Sequence, residues 1–379
     1  MRIGIDARFY GLQHAGLGRY TKNLVSELEL LDRENEYVIF LNAKNYSHYQ
    51  PKNPNFTKAK LYGHPYSIVS QFIDWIPLYR CKLDIMHFTH FSHPVLYAKK
   101  FVVTIHDLIK NQFYDKGAST RSRVGYSIKH KGYELVMNRA VKRAAVIITP
   151  TNFVKDELQK MYRLQDSRIV SIYEGADQKF TSEKPDETIS NEVVERYGLR
   201  KPYLLYVGNV YPYKNVSILL NVIEWLGNKK TDVMLGIVCA RSVFYDRLKS
   251  EIKQKQLSDS VKMLGFVPDD ELAILYKNAI AYITATLSEG FGITGIEAMS
   301  AGCPVLASDK TCLPEVYGDA ARYFNPLEVG EISTAVLEIL NDDELRNNLI
   351  RKGIKQASGY SWGKMAREIN SVYRQVLQQ

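Results

Sequence analysis

Ile280-Ala281-Tyr282-Ile283-Thr284, a short link Ala285-Thr286-Leu287-Ser288, and then Glu289-Gly290-Phe291-Gly292-Ile293-Thr294-Gly295-Ile296-Glu297-Ala298-Met299-Ser300-Ala301 form the stretch from which the fold is read. The first five residues make a short apolar run, as a strand buried on both faces must. A loop with two glycines follows, and Glu297–Ala301 reads as the opening of a helix. Such a strand, loop and helix form part of a βαβ unit, because parallel strands need crossover connections.

Working outward, the same pattern recurs. Strand candidates in the first half are Arg2–Asp6, Tyr37–Asn42, Asp84–Phe88, Phe101–His106, Ala145–Thr149 and Arg168–Tyr173. In the second half they are Tyr203–Gly208, Val233–Val238, Val261–Leu264, Ile280–Thr284, Pro304–Ala307 and Arg322–Asn325. Helix-period segments lie between most of them, which implies parallel sheets covered by helices. Seeing the pattern twice predicts an α/β chain of two Rossmann-like domains. The break falls near Asp177–Glu195, a polar stretch with Pro185 and no periodicity. The domains are therefore expected at 1–177 and 195–361. Trp362–Leu377 reads as an amphipathic helix with Ser361 as N-cap. This 362–379 tail either completes the second domain or packs back on the first. Ligands of open parallel sheets bind at the carboxyl ends of strands, so two such domains facing across a cleft place the chemistry in loops after strands.

Bulk numbers narrow the classes. The 379 residues suit two domains, and 50 Lys and Arg against 41 Asp and Glu leave a formal charge of +9. That excess favours polyanionic partners such as nucleotide phosphates, anionic lipid or nucleic acid. The four cysteines, Cys81, Cys239, Cys303 and Cys312, form no zinc-like spacing and read as reduced thiols. The chain opens on a strand with no signal peptide, and no apolar run approaches the roughly 20 residues that span a bilayer. A cytoplasmic protein, soluble or peripheral at a membrane, is expected.

Three loops carry candidate chemistry. In Glu289–Glu297, helix-start amides can face a phosphate or a sugar hydroxyl, and two glycines let the backbone approach a ligand. Thr294-Gly295-Ile296-Glu297 also fits a capping box, with Glu297 reaching back to an amide. Glu289 has no such structural role. In Gly208-Asn209-Val210-Tyr211-Pro212-Tyr213-Lys214-Asn215, Lys214 stands where the next helix begins, so its charge and the helix dipole can add on a phosphate; a plain surface lysine is the alternative. His106 ends a strand and is followed by Asp107. It can donate to a substrate hydroxyl or carbonyl, or be structural. Asp107 reads as a cap or a supporting group.

The ordered set Gly16-x-Gly18-Arg19-Tyr20, His106-Asp107, Gly175-x-Asp177, Gly208 with Lys214-Asn215, Glu289-Gly-Phe-Gly-x-x-x-x-Glu297, Gly302-x-Pro304-Val305 and Leu313-Pro314-Glu315-Val316 resembles family-four retaining glycosyltransferases of the GT-B fold along nearly the whole chain. In detail it is most similar to bacterial mannosyltransferases of surface polysaccharide synthesis. The resemblance implies that Glu289 binds the donor hexose and Glu297 the ribose. It puts the amides of Phe291, Gly292 and Ile293 on sugar and diphosphate, and Gly16, Gly18, Gly208 and Asn209 beside the donor. His106 is implied as a sugar contact, so His106, Glu289 and Lys214 are the expected catalytic set. The family often carries an arginine beside this lysine or after the glycine; this chain has Tyr213 and Asn209, so either Arg19 or Arg241 supplies a second cation to phosphate or acceptor, or the diphosphate is bound more weakly.

No Asp-x-Asp pair ends an apolar strand, so no metal is expected. The resemblance implies no cofactor, a nucleotide diphosphate sugar as donor with GDP-mannose before UDP-sugars, and a glycan or lipid-linked acceptor. Residues 121–143 hold seven cations against Glu134 alone, a net of +6, and could lie on an anionic membrane or form a solvated helix face. No module for nucleic acid accompanies that charge. A sugar-nucleotide epimerase, a phosphorylase, a dinucleotide oxidoreductase and a non-catalytic partner subunit of the same fold remain open at this point.

Overall fold

The computed structural model describes residues 1–11, 14–109, 123–176, 180 and 187–378. The chain divides into two compact units, Met1–Gly175 with Ser361–Gln379, and Ala176–Tyr360.

The first unit holds seven parallel strands: β1 (Arg2–Asp6), β2 (Glu36–Leu41), β3 (Phe56–Lys60), β4 (Ile85–Phe88), β5 (Phe101–Thr104), β6 (Val146–Thr149) and β7 (Ile169–Ser171). Their order is β3-β2-β1-β4-β5-β6-β7. Among the described residues, its helices up to Gly175 are α1 (Ala15–Leu31), α2 (Ile68–Ile73), α3 (Trp75–Arg80), α4 (Arg123–Arg143) and α5 (Asn152–Tyr162). β3 is the strand that the sequence reading omits. It is an edge strand in which Phe56 alone is buried, and Thr57 and Lys60 face solvent, so it shows no apolar run. Paired against β2 from Tyr37↔Phe56 to Leu41↔Lys60, it owes its extended state to the ladder.

The second unit holds β8 (Tyr203–Val207), β9 (Met234–Val238), β10 (Val261–Gly265), β11 (Ala281–Thr284), β12 (Val305–Ser308) and β13 (Ala321–Phe324), in the order β10-β9-β8-β11-β12-β13. Around it lie α6 (Glu187–Arg196), α7 (Val216–Asn228), α8 (Val243–Gln254), α9 (Asp269–Asn278), α10 (Ile293–Ser300), α11 (Leu313–Tyr317), α12 (Val329–Asn341) and α13 (Asp343–Ser358). The core is aliphatic, with Leu204, Leu220, Leu235, Ile237 and Ile283 each at most 1% exposed.

The expected break at Asp177–Glu195 needs correcting. The second unit begins at Ala176, and α6 belongs to it. Arg196 Nη1 bonds Glu271 Oε1 of α9 at 2.8 Å, Tyr197 donates its hydroxyl to the same carboxylate, and Phe180 is buried edge-on to Tyr276. Most of this helix's surface is polar, and only Ser190, Val193 and Val194 are buried, so its composition reads as a linker.

The last helix, α14 (Trp362–Gln378), returns to the first unit. Ser361 Oγ accepts from Lys364 N at 3.1 Å, capping it. Its inward stripe, Trp362, Met365, Ile369, Val372, Tyr373 and Val376, has the i, i+3, i+4, i+7 rhythm of a covered face. Asn370 Nδ2 donates to Asp32 Oδ2 at 3.0 Å, and the Tyr373 hydroxyl lies 2.6 Å from His87 Nδ1.

In both sheets the strand order reverses between the first and fourth strands, β1/β4 and β8/β11. A reversal of this kind leaves a crevice at the carboxyl ends, where open α/β sheets take ligands.

Candidate active site

In the second unit the two loops flanking this reversal are tied together. After β8 the chain turns at Gly208, whose φ of +145° disfavours any other residue; its N–H bonds Val238 O at 3.0 Å. Tyr206 donates to Asn209 O at 2.6 Å. A single 3₁₀ turn, Pro212–Lys214, then delivers Lys214, and α7 starts two residues later. After β11, Leu287 N donates to Tyr213 O at 2.8 Å, and Thr286 Oγ1 bonds Tyr213 O and Ser288 O at 3.3 and 2.9 Å. Glu289 is fixed in turn: its N–H donates to Thr311 Oγ1 at 3.2 Å, and its carbonyl accepts from Cys312 Sγ at 3.3 Å.

The consequence is an ion pair between Lys214 Nζ and Glu289 Oε1, with side chains only 16% and 18% exposed. Lys214 Nζ also sits 5.4 Å from the Tyr213 ring centroid. An ammonium has three N–H donors. It can hold the carboxylate and still reach a phosphate oxygen, while the carboxylate can accept from a sugar hydroxyl.

α10 begins at Ile293, four residues earlier than the sequence reading has it, with Gly292 (φ +83°) as N-cap. The capping-box reading fails for that reason. Thr294 lies within the first turn, its hydroxyl 2.7 Å from Tyr282 OH and its carbonyl accepting from Tyr276 OH at 3.2 Å. Two of the glycines here also answer a packing demand of the fold. A Cβ on Gly292 or Gly295 would lie 2.5 or 2.3 Å from the Tyr317 hydroxyl, which donates to Gly292 O at 2.6 Å. α11 occupies the space those glycines leave. Phe291 is core, edge-on to Tyr360, so a ligand could meet its amide but not its ring. Glu297 is 2% exposed on α10. The first amides of this helix have no acceptor within it, which suits an anion at its start. Arg241 is exposed on the loop after β9, just before Ser242, the N-cap of α8; Phe244 of that helix packs on Tyr211.

The remaining candidates belong to the first unit. Gly16 and Gly18 are not in a loop before a helix starting at Thr21; α1 starts at Ala15, and both stand in its first turns. A Cβ on Gly18 would lie 1.9 Å from Gly11 O, whereas Gly16 faces open space. Arg19 follows on α1, half-buried.

His106 contacts Glu174 Oε1 through Nδ1 at 3.0 Å and Thr89 O through Nε2 at 3.0 Å. Both partners are acceptors, an arrangement that favours the ring with a proton on each nitrogen. Burial opposes that charge, but the hydrogen bond and attraction of Glu174, with Thr89 O and Asp107 adding, lift its pKa above the ordinary 6.5. Each ring nitrogen, expected to serve a substrate, thus has a protein partner in this structure. Asp107 accepts from Ile109 N at 3.0 Å, a local turn.

The sequence reading missed Glu174, although an acid directly before Gly175 was a signal. It also missed Thr311 and Tyr317, for which no local signal exists. Asp177 and Arg121 lie outside the described residues, as do the side chains of residues 123–129. Within the rest of the basic helix, Arg139 Nε and Arg143 Nη2 are engaged with Val95 O and Ala98 O at 2.6 and 3.1 Å. Among the described residues no group of three His, Cys, Asp or Glu side chains is arranged to hold a metal ion, and no helix is long and apolar enough to cross a membrane.

Comparison with known proteins places this geometry. Residues 14–180 match the family described as Glycosyltransferase Family 4, and residues 190–356 match Glycosyl transferases group 1. O-antigen chain mannosyltransferase B of Escherichia coli is 27% identical over 376 residues, covering 95% of this chain and 96% of that protein. Among solved structures, sucrose-phosphate synthase from Thermosynechococcus elongatus superposes with a TM-score of 0.78 at 16% identity, covering 100% of this chain and 99% of that one. HepE of Anabaena, solved with UDP and glucose, gives a TM-score of 0.77 at 14% identity, covering 99% of this chain and 100% of that one. The fold is thus GT-B.

Proposed function

This chain is a glycosyltransferase, carrying a Family 4 domain followed by a group 1 domain, and from that premise we propose that it moves mannose from GDP-mannose to a glycan or lipid-linked acceptor, with retention and without a metal ion. The observation that carries the reading is the Lys214–Glu289 pair at the β8/β11 reversal. Similarity to the E. coli O-antigen mannosyltransferase over nearly the whole chain supports mannose.

In the proposed reaction the donor diphosphate lies against Lys214 and the first amides of α10, and Glu297 accepts from the ribose. Glu289 accepts from a hexose hydroxyl and orients the ring. As the bond from the anomeric carbon to the diphosphate oxygen breaks, its electron pair stays with the diphosphate. The growing charge falls on Lys214, a fixed cation in a partly buried site, where it acts more strongly than in water. The anomeric centre becomes oxocarbenium-like. The acceptor hydroxyl bonds it on the face that the diphosphate leaves, and its proton passes to the departing phosphate. Lys214 and the amides take the part that a metal plays elsewhere.

The test is donor-dependent release of nucleotide diphosphate, compared between GDP-mannose and UDP-glucose. Glu289→Ala and Lys214→Ala should each lower turnover at least tenfold, about 1.4 kcal/mol of barrier, with an unchanged melting profile. EDTA should leave turnover as it is. Near-normal turnover in both variants would refute the site, and activity lost to EDTA and restored by manganese would refute the metal-free mechanism.

A further inference from the structure

At the amino ends of the second sheet the connections are short. α9 ends at Asn278 and β11 begins at Ala281, while α10 ends at Ser300 and β12 begins at Val305. Lys201-Pro202 leads into β8 beside them, and α13 closes one side with Arg346 and Ile350, four residues apart on one helix face. Between these segments lies a cavity of about 430 Å³. Small-molecule sites occupy roughly 300–1,000 Å³. Its walls are already made. Ile280 N donates to Tyr203 O at 2.8 Å, Tyr282 N to Pro304 O at 2.9 Å and Cys303 N to Ala298 O at 2.9 Å. The shape therefore does not wait for a ligand, and side chains rather than these amides would hold one.

The lining is apolar at Pro202, Ile280 and Ile350 and cationic at Lys201, Lys277 and Arg346; none of the described residues lining it is acidic. Composition does not predict this. The first unit has 29 Lys and Arg against 16 Asp and Glu, a net of +13, but the second has 21 against 25, a net of −4. A cationic cavity in the acidic unit is a local feature. Arg346 is fixed, with Nη1 on Ile339 O at 2.9 Å and Nη2 paired with Asp343 of its own helix. Against the three cations stand Asp343 and the carboxyl ends of α9 and α10, at about half a negative charge each, so the balance stays positive by about one charge. Lys201 and Lys277 carry flexible ammonium groups, which meet phosphate as point charges. The apolar surface beside them suits a ligand with an apolar body.

We propose that this cavity is a second ligand site, at the opposite end of the strands from the Lys214–Glu289 pair, and that it takes a small organic phosphate carrying an apolar ring. The ring lies on Ile280 and Ile350, and the phosphate meets Lys201 and Lys277. Occupancy is felt at the start of α10. Lys277 adjoins Tyr276 in the last turn of α9, and Tyr276 donates its hydroxyl to Thr294 O, in the first turn of α10, at 3.2 Å. α10 has eight residues, about 12 Å of helix, and runs from that turn back to the cavity. This link to α10 rests on the proposed donor site, where the first amides of the helix face the diphosphate.

The test needs no sugar transfer, so its failure is distinct from failure of the proposed reaction. The purified full chain, in buffer free of phosphate, is titrated calorimetrically with phenyl phosphate, inorganic phosphate and benzyl alcohol. Phenyl phosphate should bind at least tenfold more tightly than the other two, which supply the charge or the ring alone. Lys201→Glu with Lys277→Glu should weaken that binding at least tenfold at an unchanged melting midpoint, whereas Lys214→Ala should leave it as it is. Bound phenyl phosphate should also slow hydrogen exchange over residues 293–296, and not in the double variant. Phenyl phosphate no tighter than inorganic phosphate, or binding lost in Lys214→Ala and kept in the double variant, would overturn the site. Exchange over 293–296 that ignores the bound ligand would overturn the link to α10.

Discussion

Lys214 and Glu289 are 75 residues apart in sequence, and the fold brings their charges into contact. Each residue was legible alone, as a cation at a helix start and a carboxylate between a strand and a glycine loop. Their pairing depends on Leu287 N reaching Tyr213 O, a backbone contact that no side-chain pattern announces. His106 teaches the converse: a residue that looked free to serve a substrate is held by Glu174 and Thr89. Nearby His87 is neutral, its pKa held down to about 3 by burial and then by the positive charge of His106. Because the folded pKa of His106 lies above its ordinary value of 6.5, the pair with Glu174 stabilises fully below 6.5 and loses its contribution as pH rises through the raised value. Glu174→Gln should cost about 1–3 kcal/mol in urea unfolding near pH 6, with the gap narrowing as pH rises through the raised value. An equal gap at both ends would show that the ring is not held charged.

Elements were the most legible scale, because apolar runs of strand length and helical period are local properties. What went astray has local reasons too. β3 is an edge strand with little to bury, and α6 hides three buried residues in a polar sequence. α1 and α10 begin earlier than their apolar patterns suggest, since each opens on glycine-containing turns, and at α10 packing from elsewhere calls for those glycines. At α10 that packing is Tyr317. Gly295→Ala would drive a methyl into the Tyr317 ring, so it should destabilise by about 1–3 kcal/mol in urea unfolding. A stability equal to wild type would mean that the tyrosine moves aside freely.

For the whole molecule, α14 matters most. It leaves the second unit at Tyr360 and covers α1 in the first, where Asp32 and His87 bond it. The sequence left its destination open, since an amphipathic stripe states that a face must be covered and not by what. Ending the chain at Tyr360 should therefore raise hydrogen exchange in β1, β4 and α1 while β8–β13 stay protected. Protection lost equally from both units would show that they do not stabilise independently. Charge works at this scale as well. The +9 of the chain reads as a modest excess, yet it conceals a unit of +13 beside one of −4, and that division becomes visible only once the chain is partitioned.

By itself the sequence determined the class of fold, two sheets of parallel strands with crossover helices, because burial on both faces imposes a pattern that each segment carries locally. It also determined which loops hold carboxylate, lysine and histidine. The tertiary structure alone decided which of these groups meet, which already have protein partners, and where a cavity stays open. Those outcomes depend on contacts between residues tens of positions apart, and a local pattern holds no record of its partners.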